Sequence, residues 1–430
     1  MKDTIIMKPP NNDIIPQGYK MTELGALPEE WEVVRLGEIF NVQQGKQLSE
    51  KESKEGKVKK SFLRTSNLNW GHIDISSIDE MYFTSEEFRK LKLESGDILV
   101  CEGGDVGRTA LYRGELVECA YQNHLHRLRP KKDNLDAEYF VFWMNYAINQ
   151  RKMYIHSANR TTIPNLSGSR LKEFIIPLPP LPEQQKIAAV LSAVQEAKEK
   201  TEAVIAATKA LKKSMMKHLF TYGPVSPKEV ENIQLKETEI GPVPEDWEVV
   251  RLGEIFSIFA GGDVSKINYS PIKIDKYIYP IYSNSKENNG LYGFSDTYNA
   301  QGNSITITAR GNLGYAIPRY EKFNAIIRLL VLTPKNTLNI KFISEYINSK
   351  IKINLEGSSI PQLTVPKISM YMVPLPPLPI QQKIASILSA IDAKIEAEEN
   401  KKKALEELFK SLLHNLMTAK IRVNKLGITS

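Results

Sequence analysis

Cysteine is scarce in this sequence: only Cys101 and Cys119 occur among its 430 residues. A scaffold held by several disulfides is therefore excluded, and a reducing cytoplasm is the expected location. No apolar run approaches the roughly 20 residues that a membrane-spanning helix needs. The N-terminal stretch MKDTIIMKPPNNDIIPQGYK lacks the apolar core and the small-residue cleavage site of a signal peptide. These absences predict a cytoplasmic protein without a membrane anchor.

Motifs for common kinds of catalysis are also missing. The sequence contains no GxxxxGK[ST] loop for ATP, and no glycine loop followed by an N/D-P-P-Y/F motif for methyl transfer from S-adenosylmethionine. No cluster of paired acids with a lysine suggests metal-dependent phosphodiester cleavage. The stretches GGDVG, from Gly103, and RGNLG, from Arg310, lie between predicted strands. They indicate hairpin turns, because a phosphate-binding loop needs a helix directly after its glycines. The chain is predicted to catalyse nothing alone.

A metal site is conceivable at one place. His124 and His126 alternate on a predicted strand and so share a face, with Cys119 nearby. The six histidines and two cysteines of the chain supply no second ligand pair at the usual spacing. We therefore predict a satisfied surface or core pair of histidines, and no metal site.

The bulk composition is typical of a soluble globular protein, with 42% hydrophobic and 25% charged residues. The chain is too long for one ordinary core, so two to four domains are expected. Its 57 basic and 50 acidic residues give a net charge of +7. This excess permits nucleic-acid binding but does not require it.

The chain contains two copies of a frame. TELGALPEEWEVVRLGEIF, at 22–40, returns as TEIGPVPEDWEVVRLGEIF, at 238–256, with 15 of 19 positions identical. The stretch 175–194, which contains PLPPLPEQQKIAAVLSA, matches 372–391 at 14 of 20 positions. The segments between these blocks, about 41–174 and 257–371, share little sequence. Two copies of one frame with different inserts suit a protein that needs two distinct specificities.

Each proline run is followed by a predicted long helix. Pro182 and Pro379 fit a first helical turn, and no proline or glycine intervenes for the next 38 residues in either copy. Such helices are roughly 57 Å long. Steps of four and three residues separate the apolar positions, which predicts a heptad seam. The predicted seam residues are Ile187, Leu191, Val194, Ile205, Met215, Leu219, Ile384, Leu388, Ile391, Ile395, Leu405, Phe409, Leu412 and Leu416.

The helices pair most simply antiparallel, with one insert at each end. Glu398 and Lys402, opposite the region of Thr201, interrupt the seam. In one interpretation these polar residues merely tolerate solvent. In the interpretation that we prefer, they fix the register in which the two helices pair. The run PLPPLP is interpreted as a stiff joint rather than as a ligand for a partner's groove.

The inserts read as β-rich with some helix. Their polar loops carry the residue types that contact base edges and phosphates, although loops are commonly polar for other reasons. The predicted DNA-binding residues are Arg64, Thr65, Ser66, Asn67, Asn69, Arg108, Arg160, Thr161, Asn284, Ser285, Lys286, Asn288 and Arg310. Arg64 and Arg310 are the first candidates for base reading. The lysine-rich stretch 50–60 would suit phosphate contact.

The duplicated frame resembles the specificity subunit of type I restriction–modification enzymes. Its signature is LPEEWEVVRLGEIF at the start and PLPPLPEQQKIAAVLSA at the end, and the resemblance covers Thr22 to about Met417. The inserts resemble target recognition domains of that family, through LRTSNL and GDIL in the first and YPIYSNSKENNGLYGFSD and ITITARGNLGYA in the second. One departure is Ile380 in the place of Glu183, which we expect to remove little beyond a first-turn carboxylate.

The resemblance implies an α+β fold with a pseudo-twofold internal repeat, in which an antiparallel two-helix coiled coil separates two β-rich target recognition domains. The expected boundaries are an N-terminal extension at 1–21, the first recognition domain at 22–174, a long helix at 175–222, a linker at 223–237, the second recognition domain at 238–371, a second long helix at 372–420 and a tail at 421–430.

The resemblance also implies a function. Each recognition domain would read one half of a split, asymmetric double-stranded DNA site, and the helix pair would set the gap. Two methyltransferase subunits and two motor–nuclease restriction subunits would dock on the frame. S-adenosylmethionine, ATP and Mg²⁺ would belong to those partners, and the chain itself would need no cofactor. Two alternatives stay open: the specificity chain of a related system with a fused methylase–nuclease partner, and a coiled-coil scaffold that does not bind DNA.

Overall fold

The computed structural model describes residues 15–48, 55–153, 165–263, 267–311, 313–351, 353 and 362–423. The chain divides into two compact units. Unit 1 comprises the residues up to Thr201 and those from Lys401 onward, and unit 2 comprises Glu202–Asn400. Each unit therefore contains one insert and a part of both long helices. No helix in the described ranges is long and apolar enough to cross a membrane.

The first copy of the frame and its insert form eleven strands and five α-helices in the described part of the chain. These are β1 (Tyr19–Thr22), β2 (Gly25–Pro28), β3 (Glu32–Arg35), α1 (Leu36–Ile39), β4 (Phe40–Gln44), β5 (Val58–Leu63), β6 (Asp79–Phe83), α2 (Ser85–Leu91), β7 (Ile98–Cys101), β8 (Thr109–Leu111), β9 (Cys119–Tyr121), β10 (Leu125–Pro130), α3 (Ala137–Asn145), α4 (Gly168–Lys172), β11 (Ile175–Leu178) and α5 (Leu181–Tyr222).

The second copy follows nearly the same order. Its elements are β12 (Leu235–Lys236), β13 (Val243–Pro244), β14 (Glu248–Arg251), α6 (Leu252–Ile255), β15 (Phe256–Ala260), β16 (Tyr269–Ser270), β17 (Tyr279–Tyr282), β18 (Leu291–Ser295), β19 (Ser304–Thr308), β20 (Ala316–Arg319), β21 (Asn324–Ala325), β22 (Leu329–Pro334), α7 (Ile340–Lys350), α8 (Val365–Ser369), β23 (Met372–Leu375) and α9 (Leu378–Met417).

The two inserts share a sheet topology although they share little sequence. The main sheet has the order β4-β10-β7-β8 in unit 1 and β15-β22-β19-β20 in unit 2. In the smaller sheets, β5 pairs in parallel with β9, and β17 in parallel with β21. β10 and β22 have the same burial pattern, because both lie in the middle of a main sheet with both faces covered at their first four residues. The predicted α+β duplication is confirmed.

The two glycine-rich stretches form hairpin turns, as predicted. β7 pairs antiparallel with β8, and β19 with β20. Gly107 and Gly314 occupy matching places before the second strand, with φ of +78° and +80°. A Cβ on Gly107 would lie 2.8 Å from the Ile148 side chain, and one on Gly314 would lie 2.2 Å from Ile353. Both positions therefore require glycine for its backbone conformation and for space.

The long helices begin one residue before Pro182 and Pro379, as the proline rule predicts, and six residues after the expected segment bounds of 175 and 372, because residues 175–178 and 372–375 form β11 and β23. α5 has 42 residues and α9 has 40, so they are about 63 and 60 Å long. In unit 1, Leu191 near the start of α5 shares a core with Leu416 near the end of α9. In unit 2, Leu219 near the end of α5 shares a core with Leu388 near the start of α9. The two helices therefore run antiparallel.

The predicted seam residues are buried or half-buried along both helices. Ile187, Leu191, Ile205, Leu219, Ile384, Leu388 and Leu416 are buried, and Val194, Met215, Ile391, Ile395, Leu405, Phe409 and Leu412 are half-buried. Thr201 and Glu398, which interrupt the seam, are also buried. Thr201 Oγ1 donates to the Ala197 carbonyl at 2.8 Å, and Lys394 Nζ lies 2.5 Å from Glu398. Local bonds thus accommodate these polar groups, and their role in register stays a prediction.

A buried glutamine joins each head to its long helix. Gln381 is 3% exposed, and its Nε2 donates to the Pro376 carbonyl at 2.8 Å. Its Oε1 accepts the backbone N–H of Asn339, the N-cap of α7, at 2.9 Å. Gln184 makes the equivalent two bonds in unit 1, at 2.8 and 2.9 Å. The proline run and the first glutamine recur because together they form this joint.

The packing of head helix against long helix differs between the units. In unit 1, the rings of Phe142 on α3 and Phe409 on α9 meet edge to face, with centroids 6.0 Å apart. In unit 2, the position that corresponds to Phe409 at the 197-residue offset is Lys212. Lys212 lies 2.9 Å from Glu345 on α7 and 2.7 Å from Asp392 on α9. A charged cluster therefore replaces a ring pair at this junction.

A fourth residue, Lys341, completes this cluster. It lies 2.6 Å from Glu345 and 2.8 Å from Asp392. Burial by itself would raise the pKa of Asp392, but hydrogen bonds from Lys212 and Lys341 outweigh burial and hold that pKa below its ordinary value. Asp392 is therefore held ionised between the two lysines, and the cluster ties α7 to both long helices.

The sequence suggested that Glu183 only places a carboxylate in the first turn of α5. In the structure, this carboxylate also bonds to side chains outside the helix. It is 7% exposed and accepts a hydrogen bond from Trp31 Nε1 at 2.9 Å. Arg422, beyond the end of α9, donates to it at 2.7 and 2.9 Å and also binds Glu30. Ile380, at the corresponding place in unit 2, instead packs against the apolar core. The replacement thus distinguishes the two copies structurally.

Replacing Gln381 with Ala is expected to destabilise unit 2 by about 1–3 kcal/mol, because the half-buried Asn339 N–H and the buried Pro376 carbonyl lose their partner. The matched control is Gln382→Ala, since Gln382 is the exposed second glutamine of the pair. That change should stay within about 0.5 kcal/mol. Urea denaturation followed by circular dichroism measures both, and equal effects of the two substitutions would contradict the joint.

Candidate nucleic-acid interface

In unit 1, the turn after β5 is shaped by Asn67. This side chain is 5% exposed, and its Nδ2 donates to the carbonyls of Asp74 and Ser77 at 3.0 and 2.8 Å. Its Oδ1 accepts the Arg64 backbone N–H at 3.0 Å. Because its donors and acceptor are engaged inside the turn, Asn67 positions this loop, and its direct contact with DNA stays a prediction.

Arg108 fastens the same turn to the hairpin between β7 and β8. Its Nη2 donates to the Thr65 carbonyl at 2.7 Å, and its Nη1 lies 2.6 Å from Asp105. Two loops that are far apart in sequence are thereby held together at one edge of the head. Arg108 is used for this connection, so it too has mainly a positioning role.

Exposed side chains of the turn face solvent beside this connection. Arg64 and Ser66 are exposed, and Thr65 and Asn69 are half-buried. Arg64 pairs with Asp79 at 2.8 Å, and both side chains are more than two-fifths exposed. Exposed ion pairs contribute little to stability, so Arg64 can exchange this partner for a ligand at small cost.

In unit 2, the loop after β17 is fastened in a similar way by Asn284. Its Nδ2 donates to the Arg310 carbonyl at 2.5 Å, and its Oδ1 accepts the backbone N–H of Ala309 at 2.6 Å and that of Arg310 at 3.3 Å. Asn284 therefore connects the loop to the hairpin between β19 and β20. Like Asn67, it positions its loop, and its direct contact with DNA stays a prediction.

The far side of this loop depends on Arg319, which the sequence did not single out. Asn288 and Asn289 have φ of 45° and 52°, a left-handed conformation that asparagine tolerates. Arg319 is 5% exposed, donates to the Asn289 carbonyl at 2.6 Å and lies over the Tyr282 ring at 3.5 Å. No short-range sequence pattern predicts that Arg319, the last residue of β20, supports a loop that lies 30 residues earlier in the chain.

The fastened loops of unit 2 enclose an open cavity of about 500 Å³. Its lining residues are Asn284, Ser285, Lys286, Glu287, Arg310 and Gly311. Lys286, Glu287 and Asn288 are exposed, whereas Ser285 and Arg310 are half-buried. The structure thus brings together the two polar segments that the sequence placed 25 residues apart. Their donors and acceptors can bind polar edges and anionic groups.

The remaining predicted residues are Arg160, Thr161 and those of the lysine-rich stretch 50–60. Arg160, Thr161 and residues 50–54 of the lysine-rich stretch lie outside the described residues. Lys59 pairs with Glu80 at 2.8 Å, and Lys60 pairs with Glu118. Carboxylates on β6 and just before β9 thus already compensate the charges of these two lysines.

The histidines do not share a face, contrary to the sequence expectation. His124 precedes β10 and is exposed, whereas His126 lies in β10 and is 1% exposed. Burial lowers the pKa of His126, although Glu102, 3.6 Å away, opposes this shift. Burial also raises the pKa of Cys119 to about 12. Among the described residues, no group of three or more His, Cys, Asp or Glu side chains could hold a metal ion.

Comparison with known proteins places this architecture in a family. The family model described as "Type I restriction modification DNA specificity domain" matches residues 28–207 and 244–407, one match for each copy of the frame. The chain belongs to the type I restriction–modification specificity subunits. The family's two matched regions correspond to the two copies that the sequence repeats and the two sheet systems of the structure.

Relatives of this family member cover nearly its whole length. A chain named as the type I restriction enzyme MjaX specificity subunit, from Methanocaldococcus jannaschii, is 30% identical over 95% of this chain and 97% of its own. The type I restriction enzyme MjaVIII specificity subunit of the same organism is 27% identical, over 96% and 99%. The resemblance that the sequence suggested is confirmed.

Solved structures share the fold. The S subunit of a type I restriction–modification system from M. genitalium is 20% identical, covers 90% of this chain and 96% of its own, and has a TM-score of 0.60. A chain from a structure on complex assembly and conformational transition of the type I R-M system is 18% identical, with coverage of 92% and 99% and a TM-score of 0.55.

Replacing Asn284 with Ala is expected to release the loop after β17 from the hairpin, because three hydrogen bonds to residues 309–310 are lost. Amide hydrogen exchange at Ala309 and Arg310 should accelerate, and the loop should open at a lower free energy than the rest of the unit. Glu287→Ala, an exposed change in the same loop, is the matched control. Unchanged protection in the Asn284 variant would show that the loops are held by other contacts.

Proposed function

We propose that each head reads one half of a bipartite, asymmetric DNA site for a type I restriction–modification complex. The observation that carries this proposal is the repeated construction of the two heads. Both inserts have the same main-sheet order. In both, a turn after the strand that pairs in parallel in the smaller sheet, β5 or β17, is bonded to a hairpin of the main sheet. Their exposed side chains differ, as two readers of different sequences require.

The readers in this proposal are the exposed or half-buried side chains around the fastened loops. Arginine and lysine can bind guanine O6 and N7, and asparagine can bind adenine N6 and N7, in the major groove. We assign these roles to Arg64, Thr65, Ser66, Asn69, Ser285, Lys286, Asn288 and Arg310, and we keep Arg160 and Thr161 as sequence-based candidates. Asn67, Arg108 and Asn284 hold the loops in place.

The helix pair is proposed to set the unread gap between the half-sites. Its support is the antiparallel packing within each unit and the absence of proline and glycine from the described α5 and α9 after their first turns. A rigid pair of rods gives the gap a defined length, since each residue adds about 1.5 Å.

We further propose that this chain is the non-catalytic member of the complex. Two methyltransferase subunits and two restriction subunits would dock on the repeated frame and bring S-adenosylmethionine, ATP and Mg²⁺ with them. The pseudo-twofold repeat supports two equivalent docking places, since it presents the same frame sequence twice. Action on cellular DNA would locate the complex in the cytoplasm.

Exchanging residues 41–174 for the corresponding insert of another family member is expected to change one half of the methylated DNA motif and to leave the other half intact. The reason is that each insert forms the sheets of only one unit. Single-molecule sequencing of methylated host DNA measures the motif. A change in both halves would contradict separate readers.

Adding seven residues to both long helices is expected to lengthen the gap while both half-site sequences stay unchanged. A heptad preserves the apolar seam, so the helices can still pair. The same sequencing assay gives the result. As a control, seven residues added to α5 alone should disrupt assembly instead. A change in the bases of either half-site, in the variant with seven residues added to both helices, would refute the spacer role.

A further inference from the structure

A groove of about 850 Å³ lies in unit 2 between α5, α7 and the hairpin of β19 and β20. Among the described residues, its lining is rich in lysine and includes two acidic residues, Glu345 and Asp392. The lining lysines are Lys209, Lys212, Lys213, Lys217, Lys341 and Lys350. Lining of this composition indicates a site for an anionic ligand rather than for an apolar one.

Carboxylates neutralise half of these lysines. Lys212 and Lys341 share Glu345 and Asp392, as described above, and Lys209 lies 2.6 Å from Glu399. Within the described part of the chain, Lys213, Lys217 and Lys350 have no carboxylate partner within 4.0 Å. The groove therefore keeps three uncompensated positive charges.

The spacing of the α5 lysines fits a regular anionic chain. Lys213 and Lys217 are four residues apart, so they lie on one face of α5, about 6 Å apart along its axis. The phosphates of one DNA strand follow at about 3.4 Å along the duplex axis. Two lysines at this separation can contact phosphates of one strand, either adjacent or one apart.

The groove adjoins the candidate reading loops. Asn289 and Tyr315 contribute to its lining. Lys286, which lines the 500 Å³ cavity of those loops, has its Nζ 4.9 Å from the centre of the Tyr315 ring. A strand whose bases meet the loops can thus continue into the lysine groove.

Unit 1 has aromatic packing at two of the three corresponding positions on α9. At the 197-residue offset, Lys212 corresponds to Phe409 and Lys217 to His414, whereas Lys213 corresponds to Lys410 and is lysine in both copies. Phe409 packs against Phe142, and His414 Nδ1 lies 3.2 Å from the Tyr146 hydroxyl. The pair of lysines four residues apart is thus a feature of unit 2, because the second position of the pair is His414 in unit 1.

We propose that Lys213 and Lys217, with Lys350, bind the phosphate backbone of the DNA that flanks the half-site read by unit 2. This proposal rests on the proposed function and adds to it a sequence-independent contact made by one unit. The contact fixes the position of the duplex against the reading loops, and it leaves the choice of bases to those loops.

The test uses the assembled complex and a duplex of mixed sequence, since phosphate contacts do not depend on sequence. The double variant Lys213→Gln/Lys217→Gln should reduce the slope of log K against log salt concentration by about 0.9 for each lost contact. Between 50 and 200 mM salt, the variant should therefore lose roughly tenfold less affinity than the wild type. The methylated motif should stay unchanged.

The matched control is Lys228→Gln/Lys383→Gln, which removes two exposed lysines of unit 2 outside the groove. It should leave the slope at the wild-type value. An unchanged slope in the groove variant, with assembly and thermal stability intact, would overturn the proposal. So would weakened assembly with an unchanged slope, which would assign the groove to an acidic surface of a partner subunit. If the wild-type complex itself showed no salt-dependent DNA binding, the proposed function would fail as well.

Discussion

The joint between each head and its long helix depends on one buried side chain. Gln184 and Gln381 each bond the proline run on one side and the N-cap of the head helix on the other. An amide can do this because it carries a donor and an acceptor in a fixed geometry. The proline run limits the backbone freedom next to it. Head and helix are thus joined at a defined angle, which a specificity subunit needs if its readers are to face DNA reproducibly.

The same frame accepts two different junctions between head helix and long helix. A ring pair, Phe142 and Phe409, closes the junction in unit 1, and a cluster of two lysines and two carboxylates closes it in unit 2. A buried charge without its partners is costly. The charged residues of the unit 2 junction are therefore a poor match for the rings of the unit 1 junction, and the reverse also holds. This difference disfavours exchange of the two heads between the helix ends and makes the internally repeated chain asymmetric.

The candidate interface separates positioning from contact. Four side chains form hydrogen bonds to backbone groups of their own or neighbouring loops: those of Asn67, Arg108, Asn284 and Arg319. The residues beside them stay exposed on loops that are already ordered. Such preorganisation lowers the entropy that binding would otherwise cost, because the loops need not be fixed again when a ligand arrives.

The sequence by itself determined the duplicated frame, the long helices and their seam, and the hairpins at the two glycine-rich stretches. These features depend on local chemistry: proline in a first turn, apolar residues at heptad spacing, and glycine where φ is positive. It also identified both loop clusters by residue type.

Only the tertiary structure decided which polar residues of those clusters are structural. Asn67 and Asn284 look like base readers in sequence, yet each bonds backbone groups brought close by strand pairing. The common topology of the inserts, the bonds of Glu183 and the lysine groove were likewise invisible. They arise from contacts between residues far apart in the chain, and no local pattern encodes which of those residues meet.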